Sequence, residues 1–194
     1  MKAFRFGYQI QPKDPATLRQ QVQAAEAAGF DVLCIFDHLG RYLSALEPLA
    51  FAAAWSERIR LCPLVLNNDF HHPGILAQRL ATLDRLSGGR IEVGMGAGHA
   101  FPEYHATSIP FDPPERRKRC LAESVDVLLC LLAGEQVDHH GEHYDLSGFT
   151  SIEPVQDHVP ILVGVNGRAG LAHAARVADI IGLTMLGVTL GDGN

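Results

Sequence analysis

The sequence is short of the features that mark secreted, membrane-spanning or disordered proteins. Its four cysteines, Cys34, Cys62, Cys120 and Cys130, follow neither a C-x-x-C nor a zinc-binding spacing. No apolar run reaches the roughly 18 residues that would cross a membrane, and the first residues lack the charged and apolar regions of a targeting signal. We therefore expect a soluble, cytoplasmic protein whose thiols are reduced and buried.

Positive charge is also scarce. The chain has 16 Lys and Arg residues against 22 Asp and Glu residues, so its formal net charge is -6. This balance argues against nucleic acid or an anionic membrane as the main partner and favours small-molecule ligands. With 47% hydrophobic and 20% charged residues the composition is that of a globular protein, and 194 residues suit a single domain over 1–194.

Six apolar segments typical of strands alternate with segments of helical periodicity. The strands are predicted at 4–10, 32–36, 59–66, 91–95, 161–165 and 180–184. The longest helical segment between them is predicted to end at Gly134. The stretch before Pro114 is predicted to be irregular, and residues 135–158 are predicted to form an inserted loop or hairpin.

Repeated strand-helix units require parallel strands, because a crossover helix joins each strand to the next. Two architectures satisfy this pattern, an open doubly wound sheet and a closed barrel. A (β/α)8 barrel typically needs about 250 residues. If the chain is a barrel, we expect about six of the eight units to be present.

Polar residues follow several predicted strands, at the ends where ligands bind in both architectures. They are Asp37 and His38 after the second strand, Asn67 to Asp69 after the third, Ala97 to His99 after the fourth, and Asn166 to Arg168 after the fifth. We expect these four strand ends to meet at one mouth. Imidazole titrates near neutral pH, which makes His38 and His99 candidate acid-base groups. Helix capping is the alternative role of Asp37.

Three alternating glycines, Gly94, Gly96 and Gly98, do not complete the G-x-G-x-x-G fingerprint, because no glycine stands three residues after either pair. The segment after them runs through Pro102 and is not expected to start a helix. A dinucleotide-binding fold is therefore rejected. Either the glycines let a flat ligand approach the backbone, or they mark crowded packing inside a barrel.

Two clusters of polar residues are expected to be structural rather than functional. His139, His140 and His143 match no strong zinc signature, which favours a solvated loop. The basic run at 116–119 opens the longest helix, where it opposes the helix dipole. We expect it to form an exposed face or ion pairs with nearby acids. No metal site is expected.

Longer motifs give a stronger signal. The most specific is TLDRLSGGR at 82–90, which is followed by GMGAG at 94–98. Three others are AEAAGFD at 25–31, GEHY at 141–144 and PILVG at 160–164. Together they resemble the bacterial luciferase-like monooxygenase family, above all its branch that uses the deazaflavin coenzyme F420.

The resemblance implies a luciferase-like TIM-type (β/α)8 barrel that binds F420, or alternatively FMN, across the carboxyl ends of its strands. It implies that His38, Asp37 and His99 lie near the reactive ring and the substrate. It also implies a set of cofactor-binding positions: Asp37, Leu66, Asn67, Ala97, Gly98, Gly164, Val165, Asn166 and Thr184. In this comparison Leu66 and Asn67 form a backbone bulge after the third strand, and the second and third helices form a homodimer interface.

Two positions depart from the family pattern. His99 stands where sugar-phosphate dehydrogenases of the F420 branch have an acidic residue, so their substrate is not carried over. Val165 follows Gly164 where the family often has consecutive glycines. This difference weakens or reshapes the expected phosphate site.

The expected function is that of an oxidoreductase acting on a small organic substrate. The reaction would be hydride transfer with F420 or monooxygenation with reduced FMN. The alternative is a truncated, catalytically silent protein that binds flavin or forms dimers, since two barrel units are missing from the pattern. An open barrel would expose unpaired strand edges unless they were covered.

Overall fold

The structure is a computed structural model that describes residues 4–183 of the chain. Its elements in chain order are β1 (Gly7–Ile10), α1 (Pro15–Ala27), β2 (Val32–Ile35), α2 (Leu46–Ala54), β3 (Arg60–Pro63), β4 (Leu66–Asn67), a 3-10 helix (Asn68–Phe70), α3 (Pro73–Ser87), β5 (Val93–Gly96), α4 (Phe101–Thr107), α5 (Pro114–Leu132), β6 (Val137–His140), β7 (Asp145–Phe149), β8 (Ile161–Gly164), α6 (Arg168–Val177) and β9 (Ile180–Gly182). Apart from the β6-β7 pair, the strands pair in parallel.

The order of the parallel strands decides between the two architectures. One sheet runs β1-β2-β3 and another runs β4-β5-β8-β9, and a parallel bridge between Leu61 and Ile91 joins them. We count β3 and β4 as two pieces of one interrupted strand. The parallel strands of residues 4–183 then form six barrel strands, and their order in space follows their order in the chain without a reversal. A doubly wound sheet reverses its order at a switch point, whereas a barrel does not. The α/β barrel prediction, with about six units, is confirmed.

Local sequence signals explain where the helices begin and end. Asp14 accepts a hydrogen bond from the Thr17 backbone N–H, and Pro15 occupies the first turn of α1. At the C-terminal end of α3, Gly88 adopts a left-handed φ of 65°, as its predicted capping role requires. Between helices and strands lies a core of buried aliphatic side chains such as Leu33, Leu61 and Leu80.

The interruption in the third barrel strand lies earlier than the family resemblance implies. Leu66 and Asn67 form the regular strand β4 and pair with Met95 and Gly96, so the bulge assigned to them is wrong. The chain departs from the ladder at 64–65, where the peptide bond is cis. The preceding residue is a proline, which cannot donate to a neighbouring strand.

A helix occupies part of the stretch that was predicted to be irregular. Helix α4 (Phe101–Thr107) places Pro102 in its first turn. A backbone N–H has no acceptor within the helix at this position, so its absence in proline costs no hydrogen bond. The expectation that Pro102 prevents a helix start is therefore wrong. Within 135–158, β6 and β7 form an antiparallel hairpin.

No helix within residues 4–183 is both long enough and apolar enough to span a membrane.

Candidate active site

A cleft of about 350 Å³ opens at the carboxyl ends of the barrel strands. Residues in or directly after all six barrel strands, together with α4, surround this space. The lining residues are Gln9, Phe36, Asp37, His38, Leu64, Val65, Asn67, Gly98, His99, Ala100, Glu103, Leu162, Gly164, Gly182 and Leu183. The predicted convergence of strand ends is thus observed for the second, third and fourth strands. The fifth strand reaches the cleft through Leu162 and Gly164, and its predicted end at Asn166 to Arg168 does not line it.

Asp37 is buried at the end of β2 and holds two neighbouring segments together. Its Oδ2 atom accepts the Asn67 backbone N–H at 3.1 Å and lies 2.9 Å from Nε2 of His71. An ionised carboxylate only accepts hydrogen bonds, so His71 donates through Nε2. Asp37 therefore ties strand β2 to strand β4, and no helix-capping bond from its side chain is present among the described residues.

His38, which follows Asp37, pairs with a residue that the sequence did not suggest. Its Nδ1 atom lies 2.5 Å from Oε1 of Glu103 on α4. The other carboxylate oxygen of Glu103 accepts the Leu39 backbone N–H at 3.3 Å. Because the carboxylate accepts, the proton of this pair resides on Nδ1 of His38, and Nε2 is the nitrogen left for a ligand.

Aromatic rings surround the His38 imidazole. His99 meets it edge to face with ring centroids 5.5 Å apart, and Phe36 does the same at 5.1 Å. Tyr42 packs edge to face on Phe36 at 5.1 Å. The two histidines predicted as acid-base groups therefore stand side by side in the cleft wall.

Asn67 anchors a buried polar network behind the cleft. Its Oδ1 atom is within hydrogen-bonding distance of the Tyr104 hydroxyl at 3.0 Å and accepts the Asp69 backbone N–H at 3.2 Å. The Tyr104 hydroxyl also lies 2.9 Å from Oδ2 of Asp69. Burial raises the pKa of Tyr104 to about 12 and also raises the pKa of Asp69 above its ordinary value. Tyr104 therefore keeps its proton at neutral pH and can donate it to one acceptor at a time.

Arg117 fastens the loop that follows β5, which corrects the prediction that the whole basic run is exposed. Its guanidinium is buried and donates to the carbonyls of Ala97 and Gly98 and, through Nε, to that of Asp112 at 2.9 Å. The same group lies 4.2 Å from the centre of the Phe111 ring. Guanidinium offers five donors in a planar fork, so one arginine can bind several carbonyls and an aromatic face at once.

Packing explains the two glycines within β5, and the glycine that follows the strand lines the cleft. A Cβ atom at Gly96 would lie 2.6 Å from Val65 Cγ2, and one at Gly94 would collide with the Pro63 carbonyl. Gly98, at a left-handed φ of 71°, would place a Cβ against the Tyr104 hydroxyl. For Gly94 and Gly96 the structure therefore favours the interpretation as crowded barrel packing, whereas Gly98 also lines the cleft.

The remaining predicted cofactor positions differ in whether they line the cleft. Gly164 lines the cleft, whereas Leu66 is fully buried, and Ala97, whose carbonyl accepts from Arg117, is not among the lining residues. Val165 uses its backbone N–H to bond the Gly182 carbonyl at 3.1 Å. Thr184 lies outside the described residues.

The hairpin histidines are more ordered than a solvated loop would be. Nε2 of His139 lies 2.9 Å from Oε1 of Glu123, and the same carboxylate accepts the backbone N–H groups of His143 and Tyr144. The side chain of His143 is only 5% exposed, while that of His140 is 70% exposed. Across residues 4–183 no group of three or more ligand side chains is arranged to hold a metal ion.

A profile of the luciferase-like monooxygenase family matches residues 3–191. The chain belongs to this family. Among curated relatives, the F420-dependent glucose-6-phosphate dehydrogenase of Nakamurella multipartita is 35% identical over 187 residues, an alignment that covers 90% of this chain and 54% of the relative. The luciferase-like chain therefore spans about half the length of the curated relatives it matches.

Solved structures agree with this assignment. The F420-dependent tetrahydromethanopterin reductase of Methanopyrus kandleri superposes with a TM-score of 0.82 at 27% identity, covering 93% of this chain and 55% of the reductase. The monooxygenase RslO1 of Streptomyces bottropensis superposes with a TM-score of 0.78 at 28% identity, covering 89% of this chain and 57% of the monooxygenase. The family thus includes both deazaflavin-dependent enzymes and monooxygenases.

Proposed function

We propose that this chain supplies the cofactor-binding and acid-base part of an oxidoreductase that uses F420 on a small organic substrate. The observation that carries the proposal is the His38–Glu103 pair on the wall of the cleft, 2.5 Å between Nδ1 and Oε1. An imidazole oriented by a carboxylate is a common acid-base device. The choice of F420 as the cofactor is supported by curated relatives, which are named as F420-dependent enzymes.

The lining of the cleft fits a flat tricyclic ring. Leu64, Val65 and Leu162 give it apolar surface, and Gly98 and Gly164 contribute backbone without side chains. Small-molecule sites commonly combine an apolar wall with a few polar groups. Here the polar groups are the imidazoles and carboxylates described above.

A phosphate of the cofactor would be held after β8. Val165 cannot donate to it, because its N–H already bonds Gly182. The next donors are the N–H groups that open α6, whose N-cap residue Gly167 has no side chain to bond them. A helix N-terminus favours an anion through these N–H groups and the helix dipole. Asn166, which precedes Gly167, is the side chain we assign to this site.

The chemistry divides between the cofactor and the protein. F420, when bound, supplies hydride transfer at its ring. Glu103 keeps the proton of His38 on Nδ1, which leaves Nε2 to take a proton from a substrate hydroxyl or, once protonated, to return one to a carbonyl. Asp37 fixes the backbone of Asn67 and thereby the floor beside the imidazole.

Titration of the purified chain with F420 and, separately, with FMN tests the proposal. A ligand that binds only the folded state raises the melting temperature, so we expect F420 to raise it and FMN to have a smaller effect. A preference for FMN would favour the monooxygenase alternative. A folded chain that binds neither would favour a catalytically silent protein and overturn the proposal.

A matched pair of variants tests the acid-base role separately. If the loaded chain turns over, His38→Asn should lower the rate on the order of 100-fold without abolishing F420 binding. The control is His140→Asn, because His140 is 70% exposed on the hairpin. Equal rates in both variants would remove His38 from the mechanism.

We also propose a homodimer formed through α2 and α3. These neighbouring helices expose Phe51 at 55%, Ile75 at 66% and Leu86 at 69%. Large apolar side chains exposed on neighbouring helices favour an interface. Light scattering should give a dimer mass for the chain, and Ile75→Glu should shift the mass to that of a monomer; a monomeric wild-type chain would refute the interface.

A further inference from the structure

Two cysteines face each other inside the barrel, directly below the cleft. Cys34 on β2 and Cys62 on β3 are partners in the parallel register of these strands. They share one buried cluster with Val32, and Leu64 packs against it. Neighbouring strands lie about 4.8 Å apart, which falls within the range of Cα separations, roughly 4.4–6.8 Å, that a disulfide can join.

The position of this pair connects it to the site. Gln9 is the register partner of Cys34 on β1 and lines the cleft. Successive residues of a strand point to opposite faces, so Phe36 and Leu64 share the face of Cys34 and Cys62, one step nearer the mouth. Both of them line the cleft. The thiols therefore form the layer immediately beneath its floor.

The surroundings of the two sulfurs differ. The Cys62 thiol donates to the Pro63 carbonyl at 3.4 Å, and Cys34 is its register partner on the adjacent strand. The interaction between the two thiols lowers the pKa of Cys34 and raises the pKa of Cys62. Cys34 is thus the sulfur with more thiolate character, and the thiolate is the form that reacts with oxidants.

The other two cysteines lack such an arrangement. Cys120 and Cys130 are only partly buried, and both lie on α5, away from β2 and β3. Burial raises the pKa of the Cys120 thiol and of the Cys130 thiol above their ordinary values. They serve as internal controls for any reaction that requires a paired thiolate.

We propose that Cys34 and Cys62 are a paired-thiol modification site that hydrogen peroxide oxidises to an intrachain disulfide beneath the cleft. The Cys34 thiolate attacks one peroxide oxygen, the O–O bond breaks, and the leaving oxygen takes a proton to become water, which leaves a sulfenic acid. The Cys62 sulfur then attacks the sulfenic sulfur. The S–O bond breaks, the S–S bond forms, and the thiol proton leaves with the hydroxyl as a second water. Two thiols are oxidised by two electrons, and one hydrogen peroxide is reduced to two waters.

The test uses the wild-type chain, hydrogen peroxide and mass spectrometry. After oxidation, free thiols are blocked with N-ethylmaleimide and the chain is digested with trypsin without reductant. Cleavage at arginine places Cys34 in peptide 20–41 and Cys62 in peptide 61–79. We expect these peptides to be recovered joined and two hydrogen atoms lighter than their sum, from the band that runs as a single chain on a non-reducing denaturing gel, and to separate after dithiothreitol. Cys120 and Cys130 should carry the maleimide.

Variants and alternative outcomes keep the test decisive. The double variant Cys120→Ser/Cys130→Ser should still give the joined peptides, whereas Cys34→Ala should give peptide 61–79 with its maleimide. Recovery of both peptides unjoined from oxidised wild-type chain would overturn the proposal, as would loss of free thiol at Cys120 before Cys34. The wild-type result stands even if a cysteine variant fails to fold. The proposal is independent of cofactor identity, so failure to bind F420 would not affect it.

Discussion

Glu103 on α4 lies against His38 at the end of β2, with 2.5 Å between Oε1 and Nδ1 and 65 positions of sequence between the residues. The contact depends on the loop after β5, which Arg117 holds through the Ala97 and Gly98 carbonyls. The orientation of the cleft histidine is therefore set by a residue that follows a different barrel strand.

We predict that Glu103→Gln loosens the orientation of the imidazole. The neutral amide can donate as well as accept, so it no longer selects the tautomer protonated at Nδ1. Nitrogen-15 shifts of the His38 ring should show one neutral tautomer in the wild-type chain and a mixture in the variant. Glu115→Gln is the control, because Glu115 is 73% exposed in an ion pair with Lys118. An unchanged tautomer in Glu103→Gln would contradict the positioning role.

We predict that Arg117→Ala is strongly destabilising. Removal of the buried guanidinium leaves three carbonyl oxygens without a donor, so the free energy of unfolding should fall by about 2–4 kcal/mol. Urea denaturation measures this change. The neighbouring Arg116 is 54% exposed and pairs with Asp112, and Arg116→Ala should stay within about 0.5 kcal/mol of wild type. Equal effects at both positions would show that Arg117 does not fasten the loop.

We predict that Gly96→Ala is destabilising and Gly164→Ala is tolerated. The added methyl at Gly96 would lie 2.6 Å from Val65 Cγ2, whereas at Gly164 its nearest neighbour would be 3.5 Å away. Overpacking of this kind costs about 1–3 kcal/mol. The double variant Gly96→Ala/Val65→Ala should recover part of the loss, as thermal unfolding can show. If the double variant recovers none of the lost stability, a contact other than the one with Val65 causes the destabilisation.

We predict a specific acid sensitivity from Glu26. Its carboxylate accepts the backbone N–H groups of Glu57, Arg58 and Ile59. Burial raises the pKa of this carboxyl, but the three N–H donors lower it by more, so the net pKa lies below 4.5. A depressed carboxyl pKa contributes stability that is present above the unfolded value and lost as pH falls through the folded value.

The measurement compares wild type with Glu26→Gln by urea denaturation from pH 7 to pH 3. The difference in unfolding free energy between the two should be constant near neutral pH and should shrink below about pH 4.5. The control is Glu57→Gln, since Glu57 contributes only its backbone N–H to this contact. A difference that grows on acidification would reverse the assigned sign.

Sequence patterns predicted the parts of the fold that depend on local signals. Continuous apolar runs located the barrel strands, and Gly88 located the end of α3. Polar residues directly after strands located Asp37, His38, Asn67 and His99 in one cleft, because parallel strands present their carboxyl ends together. The barrel itself followed from the family motifs, since strand periodicity fits an open sheet equally well.

The missed residues depend on contacts between distant segments. Helix α4 has seven residues, too few to display an apolar stripe, so neither the helix nor Glu103 was predicted. His71 follows a strand end by several positions and was overlooked for that reason. Arg117 looked like its three basic neighbours, and only packing beneath the β5 loop distinguishes it. No local pattern reports such burial.

The unreversed order of the barrel strands affects how the polypeptide can fold while it is being made. Each barrel strand after β1 pairs with one that precedes it in the chain. A strand that leaves the ribosome can therefore pair at once with a strand that has already been synthesised. No later strand has to insert between two earlier ones. Apart from the outer edge of β1, the growing sheet exposes one advancing edge, which limits the opportunities for pairing with a neighbouring nascent chain.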